Sequence, residues 1–223
     1  RGIRFLVIFQ VASIQGRARR AESTGRMLAQ RSAIVTGAGR GIGAAVARLL
    51  GQHGASVLVN DLDEAAAQAS AAAVTAAGGC AFALSGSVTD DGFPESLVAA
   101  AVARHGTLDI VVNNAGFLWD GVVHKMDDEQ FAAVLDCHLT APFRLARAAA
   151  EHMRAAARAE LAQGGAPRDR CFVNVSSTSG LHGNLLTMPL LTMALLTMAL
   201  LTMALLTMAL LTMALLTLAL LAR

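Results

Sequence analysis

The sequence contains no tyrosine, only one tryptophan, and Lys125 as its single lysine among 223 residues. The absence of tyrosine excludes every mechanism in which a phenol serves as the acid or the base. The three scattered cysteines, Cys80, Cys137 and Cys171, exclude a disulfide scaffold and lack the spacing of metal ligands. We therefore expect a cytoplasmic protein without a metal site. The 55% content of hydrophobic residues excludes full disorder.

Charge is unevenly distributed along the chain, although the formal net charge is only +2. Residues 1–26 carry six arginines and one acid, whereas residues 27–183 carry eleven basic and fifteen acidic groups. Because no clustered basic stripe is present, we expect no nucleic-acid partner. These differences predict three segments: a basic N-terminal extension over 1–26, a globular domain over 27–183 that starts naturally at Met27, and an apolar tail over 184–223.

The tail repeats the unit Leu-Leu-Thr-Met-Ala with almost no change. A five-residue period matches neither the strand period nor the helix period. On a helix, leucine would cover every side, so the helix would have to be buried or lie in lipid. We favour a reading-frame change or a slipped repeat, with a hydrophobic or membrane-inserted helix and a five-residue solenoid as alternatives. Membrane contact through 184–223 is thus a minority interpretation.

Short β-branched runs alternate with alanine-rich stretches in the globular segment. The runs predict strands over 33–36, 56–60, 81–84, 108–112 and 171–175, and the stretches predict helices over 42–50, 63–77, 95–104 and 128–153. Strand and helix alternating at this interval indicate βαβ units. Because such crossovers are right-handed, we predict an α/β fold with a Rossmann-like, doubly wound parallel sheet, incomplete at its C-terminal side.

The segment TGAGRGIG, residues 36–43, joins the first predicted strand to the first predicted helix. Glycines allow backbone amides to approach a diphosphate at a helix N-terminus. Asp61 ends the second strand about 20 residues further on, where a carboxylate can accept hydrogen bonds from an adenosine ribose. We favour ribose binding for Asp61 over its alternative role, N-capping of the following helix.

Two further motifs complete a family pattern: NNAG at 113–116 after the fourth strand, and NVSS at 174–177 in the fifth. With the glycine segment, they resemble the short-chain dehydrogenase/reductase family over residues 30–183, and are similar to its 3-oxoacyl carrier-protein reductases. The resemblance implies hydride transfer between a nicotinamide cofactor and a small alcohol or ketone, such as a 3-oxoacyl or 3-hydroxyacyl compound, in a homo-oligomer. It implies cofactor contacts at Gly37, Arg40, Gly41, Ile42, Gly43, Asp61, Leu62, Val88, Asn114, Ala115 and Gly116.

The resemblance also implies two catalytic residues and a cofactor preference. Ser177 matches the serine that hydrogen-bonds the substrate carbonyl, and His138 stands where the family has an asparagine that holds a proton-relay water. A structural hydrogen bond is the equal alternative for His138. Asp61 would repel the 2′-phosphate of NADP, whereas Arg40 would attract it. Because like charges in contact cost more than one exposed cation returns, we expect NAD, with NADP as the alternative.

The sequence departs from the family at three further positions. Leu190 and Ala194 occupy the places of the general-acid tyrosine and of its lysine, and Ser87 replaces an aspartate that contacts adenine. We therefore expect cofactor binding with little catalysis. The alternative function is a non-catalytic nucleotide-binding module, attached to a membrane through the repeat. If the repeat replaces the family's sixth and seventh strands, we expect the fifth strand to be an unpaired sheet edge.

Overall fold

The computed structural model describes residues 4–10, 26–119 and 121–177, which form a parallel six-stranded sheet with helices on both faces. The repeat over 184–223, with Leu190 and Ala194, lies outside the described residues. The strands are β1 (Arg4–Gln10), β2 (Ser32–Val35), β3 (Ser56–Asp61), β4 (Cys80–Ser85), β5 (Ile110–Asn113) and β6 (Cys171–Ser177). Their order across the sheet is β1-β6-β5-β2-β3-β4. The chain therefore reverses its direction of winding between β4 and β5, which confirms the predicted doubly wound fold.

Five α-helices cover the two faces of this sheet within the described residues. They are α1 (Gly41–Gln52), α2 (Glu64–Ala76), α3 (Phe93–His105), α4 (Asp128–Leu135) and α5 (Ala141–Ala162). Ile34 and Leu58 join a core cluster with α3 and α5, whereas the next residues along the strands, Val35 and Val59, join a second cluster with α1 and α2. Strand side chains alternate between faces, so both faces of the central strands are apolar and buried. None of these helices has the length and the hydropathy needed to cross a bilayer.

The predicted helix over 128–153 differs from the observed one in two ways. A π-helical turn, Asp136–Thr140, separates α4 from α5, and α5 continues to Ala162 instead of ending at Met153. Pro142 lies in the first turn of α5, where its missing N–H removes one of the bonds that would continue a regular α-helix from α4. The alanine-rich sequence after Met153 has no helix breaker, so the helix ends only just before Gly164.

The expectation that the fifth predicted strand is an unpaired edge is wrong. That strand is β6, and it pairs with β5 on one side and, over its whole length, with β1 on the other. The pairing runs parallel from Arg4 opposite Cys171 to Gln10 opposite Ser177. The apolar run in 4–10 is rich in Val, Ile and Phe, which suit a strand, and an open ladder of amides is available beside it. Part of the predicted N-terminal extension is therefore a strand of the sheet.

Proline substitutions in β1 test this pairing. Successive amides of a strand point to opposite sides, so either Val7→Pro or Ile8→Pro removes a hydrogen bond to β6, and the other leaves the ladder intact. We expect one variant to lose about 1 kcal/mol more stability than the other, about 2–4 °C in melting temperature. Thermal melts followed by circular dichroism measure the difference. Equal, negligible effects of both substitutions would show that β1 does not stabilise the sheet.

Candidate functional site

A cleft of about 800 Å³ opens at the carboxyl ends of the central strands, where the winding of the sheet reverses. Its volume falls in the range of small-molecule and cofactor sites, and its position is where open α/β sheets bind ligands. Eight of the predicted binding residues line it: Gly37, Arg40, Asp61, Leu62, Val88, Asn114, Ala115 and Gly116. The other predicted site residues, Gly41, Ile42, Gly43, His138 and Ser177, lie outside its lining.

A set of hydrogen bonds from Thr36 joins the glycine segment to the loop after β5. The Thr36 hydroxyl accepts the backbone N–H groups of Asn114 and Ala115, each at 3.0 Å. In return, the Asn114 side-chain amide donates to the backbone carbonyls of Thr36 and Gly37, again at 3.0 Å. Thr36 is buried, so water does not readily replace its hydroxyl as the acceptor for the half-buried amides of Asn114 and Ala115. We call this set of bonds the Thr36 latch.

Two glycines permit the close approach that the Thr36 latch imposes. Gly37 has a positive φ of 59°, and a Cβ there would lie 2.7 Å from the Cα of Ala115. At Gly43 a Cβ would overlap the carbonyl oxygen of Gly37 and the side-chain amide of Asn114. Any larger residue at either position would push the two loops apart. Gly43 therefore supports the cleft from outside its lining.

Asp61 is held at the mouth of the cleft by backbone donors. Its carboxylate accepts the N–H of Gly39 at 2.8 Å and the N–H of Asp63 at 3.2 Å. The N-cap of α2 is Asp63, because its side-chain carboxylate accepts the N–H of Ala66. The N-cap alternative for Asp61 is therefore wrong. Asp61 thus presents a fixed negative charge beside the glycine segment.

Sequence analysis singled out Ser87 on the far wall of the cleft but missed Asn60 and Thr89. Asn60 is 1% exposed, and its side-chain amide donates to the carbonyls of Leu84 and Gly86 at 3.1 Å, which fixes the end of β4 to β3. Beyond it, the hydroxyls of Ser87 and Thr89 lie 2.6 Å apart. A polar residue at the end of an otherwise apolar strand is the signal that could have identified Asn60.

His138 lies behind the cleft, in the π-helical turn. Its Nε2 is 2.8 Å from the carbonyl oxygen of Phe117, so the ring donates to the loop that follows Gly116. Burial lowers the pKa of His138, while the bond to Phe117 opposes that shift. The neighbouring Cys137 lines the cleft, and burial raises the pKa of its thiol to about 11, which keeps the sulfur protonated and unreactive. The geometry matches the structural alternative for His138, and its catalytic role stays a prediction.

Ser177 ends β6, at the same edge of the sheet as the cleft. Between β5 and β6, the side-chain amide of Asn113 donates to the side-chain oxygen of Asn174 at 2.8 Å, and both side chains are buried. This bond ties the end of β5 to β6 and so fixes the position of the strand that carries Ser177.

The parallel sheet, its reversal of winding and its latched glycine segment define an α/β domain of the Rossmann type. The sequence profile described as short chain dehydrogenase matches residues 31–188. The chain therefore belongs to the short-chain dehydrogenase family, which confirms the resemblance predicted from its motifs.

Individual relatives agree with this assignment. A hydroxyacyl-CoA dehydrogenase of Mycobacterium tuberculosis is 40% identical over 161 residues, covering 70% of this chain and 50% of the relative. A 3-oxoacyl-(acyl-carrier-protein) reductase of Chlamydia muridarum is 32% identical, covering 71% of this chain and 60% of the relative. The chain thus spans between half and three fifths of the length of these two relatives.

Solved structures show the same fold. A short chain dehydrogenase from Mycobacterium avium matches with a TM-score of 0.70 and 35% identity, over 78% of this chain and 64% of the other. A metagenomic short-chain oxidoreductase in complex with NADP matches with a TM-score of 0.61 and 35% identity, over 69% and 65%.

Substitution of Thr36 tests the latch. Thr36→Val keeps the shape of the side chain but leaves the half-buried N–H groups of Asn114 and Ala115 without their acceptor, so we expect a loss of about 1–3 kcal/mol in the free energy of unfolding. Thr36→Ser retains the hydroxyl and is the matched control. Urea denaturation measures both variants, and a Thr36→Val protein as stable as Thr36→Ser would contradict the role of the latch.

The histidines predict a dependence of stability on pH. Burial lowers the pKa of His105, His138 and His152 from 6.5, so the unfolded chain binds their protons more readily than the folded one. The stability is therefore fully present above about pH 6.5 and is lost as the pH falls through the lowered values. The hydrogen bond with Arg170 lowers the pKa of Glu160 from 4.5, so the contribution of Glu160 to stability is lost only in more acidic solution.

Unfolding free energies at about pH 7.5 and about pH 5.5 measure this loss, to which one histidine contributes at most about 1.4 kcal/mol per pH unit. His138→Asn should make the loss smaller, because it removes one of the three groups whose pKa is lowered. Higher stability at the lower pH would contradict the lowered pKa of these half-buried histidines.

Proposed function

We propose that the cleft binds a nicotinamide dinucleotide, with NAD preferred to NADP. The observation that carries the proposal is the Thr36 latch, which holds the glycine segment and residues 114–116 together at the reversal of the sheet, with the Asp61 carboxylate at the same mouth. The site fits the group, since a Cβ at Gly41, the first residue of α1, would meet no protein atom within 4 Å, which leaves this helix N-terminus open to a ligand.

Each part of the cleft has a role toward such a ligand. α1 begins at Gly41, within the glycine segment, and the first amides of a helix favour a diphosphate. The Asp61 carboxylate would accept hydrogen bonds from ribose hydroxyls, and Asn114, Ala115 and Gly116 would border the ribose rings. The cofactor supplies or accepts the hydride, and the Ser177 hydroxyl would donate a hydrogen bond to a substrate carbonyl.

For the substrate we propose a small alcohol or ketone of the 3-hydroxyacyl or 3-oxoacyl class. Support comes from two relatives, one named a hydroxyacyl-CoA dehydrogenase and the other a 3-oxoacyl-(acyl-carrier-protein) reductase. Within the chain, the exposed Phe117 and Trp119 follow the cleft loop and offer apolar surface beside it.

We further propose that this chain, as its sequence stands, catalyses the reaction poorly. It has no tyrosine to protonate the developing alkoxide, and Leu190 and Ala194 occupy the places of the family's tyrosine and lysine. Loss of a general acid typically costs about 10²–10⁴ in rate. The absence of tyrosine also supports a second candidate function, a nucleotide-binding module without catalysis.

NADH binding and turnover test these proposals together. We expect the full chain to enhance and blue-shift NADH fluorescence, and to oxidise NADH with acetoacetyl-CoA at less than about 0.1 s⁻¹, against a typical enzyme value near 10 s⁻¹. Asp61→Asn should weaken NADH binding by about tenfold, because charged hydrogen bonds are lost. Asp90→Asn, at an exposed residue outside the lining, is the matched control.

The outcomes separate the two parts of the proposal. An absence of NADH binding by the unmodified chain would overturn the assignment of the cleft. Binding with turnover of about 10 s⁻¹ would overturn the claim of poor catalysis and would require another acid.

A further inference from the structure

At the mouth of the cleft, an ion pair connects the glycine segment to the N-terminus of α2. Nη2 of Arg40 lies 2.7 Å from Oδ2 of Asp63, and both side chains line the cleft. The other carboxylate oxygen of Asp63 accepts the N–H of Ala66 as the N-cap of α2. The cap fixes the direction of the Asp63 carboxylate, and this carboxylate in turn draws the guanidinium toward α2.

Arg40 supplies the positive charge in the described part of the cleft lining. It is the only lysine or arginine among the described residues that line the cleft, where Asp61, Asp63 and Asp136 supply the acids. The Asp61 carboxylate accepts the N–H groups of Gly39 and Asp63, and among the described residues it is the Asp63 carboxylate that binds Arg40. The Arg40 charge, which could attract the 2′-phosphate of NADP, is therefore partly neutralised by Asp63 within the protein.

We propose that Asp63 is a cofactor-specificity residue, which disfavours a 2′-phosphate by holding the Arg40 guanidinium in an ion pair. The inference rests on the proposed binding of a nicotinamide dinucleotide in this cleft. Asp61 alone disfavours the 2′-phosphate by like-charge repulsion. Asp63 acts through a different residue, because Arg40 can meet a phosphate only after it leaves the Asp63 carboxylate.

The exposure of the pair sets the size of the effect. The side chains of Arg40 and Asp63 are 72% and 48% exposed, so solvent screens their attraction and the pair is easily opened. We therefore expect release of Arg40 to change the preference between the two cofactors by about three- to tenfold, not by orders of magnitude.

Calorimetric titrations of the full chain with NADH and with NADPH test the inference without any need for turnover. Asp63→Asn removes the charge that holds Arg40 but keeps a good N-cap for α2. We expect it to raise the affinity for NADPH relative to NADH by about three- to tenfold. Glu64→Gln removes a neighbouring charge that has no contact with Arg40, and should change the ratio by less than about twofold.

A double-mutant cycle separates the release of Arg40 from a general loss of negative charge. In an Arg40→Gln background, Asp63→Asn should change the NADPH to NADH ratio by less than half as much, on a logarithmic scale, as in the native background. An unchanged ratio in Asp63→Asn, or equal changes in both backgrounds, would overturn the inference. If the native chain bound neither cofactor, the proposed function itself would fail. Circular dichroism of each variant checks that it is folded.

Discussion

The cleft depends on one buried hydroxyl, that of Thr36, which accepts two backbone N–H groups from the loop after β5. Buried amides need acceptors, and the end of β2 supplies one for both. With Asn114 donating back to the glycine segment, two loops that are nearly 80 residues apart in sequence become a single unit. The close contacts at Gly37 and Gly43 exist because this unit leaves no room for side chains between its parts.

The charges around this unit are the basis of the cofactor preference that we propose. Asp61 is fixed by two backbone donors, whereas the exposed Arg40 side chain is drawn toward Asp63 by an ion pair that opens easily. A site with preoriented groups loses less entropy when a ligand binds. The proposed electrostatic preference thus rests on residues next to those that hold the two loops together.

Much of the fold was predictable because its signals are local. The alternating apolar strands and alanine-rich helices indicated the doubly wound sheet, and the glycine segment with Asp61 indicated the cleft. The pairing of β1 with β6 was not predictable, because it joins residues 4–10 to residues 171–177 and no local pattern records such a distant partner. The same limit applies to the Arg40–Asp63 pair, since charges 23 residues apart meet only after α2 and the glycine segment have packed.

Hydrogen exchange of the native chain, with and without saturating NADH, tests the central claim most directly. If the latched loops form a dinucleotide site, NADH should slow exchange in peptides that contain residues 36–44, 61–63 and 113–117. Peptides around residues 156–168, which lie near the amino ends of the strands, should exchange at unchanged rates. Protection confined to other segments, or no protection despite measurable binding, would contradict the account.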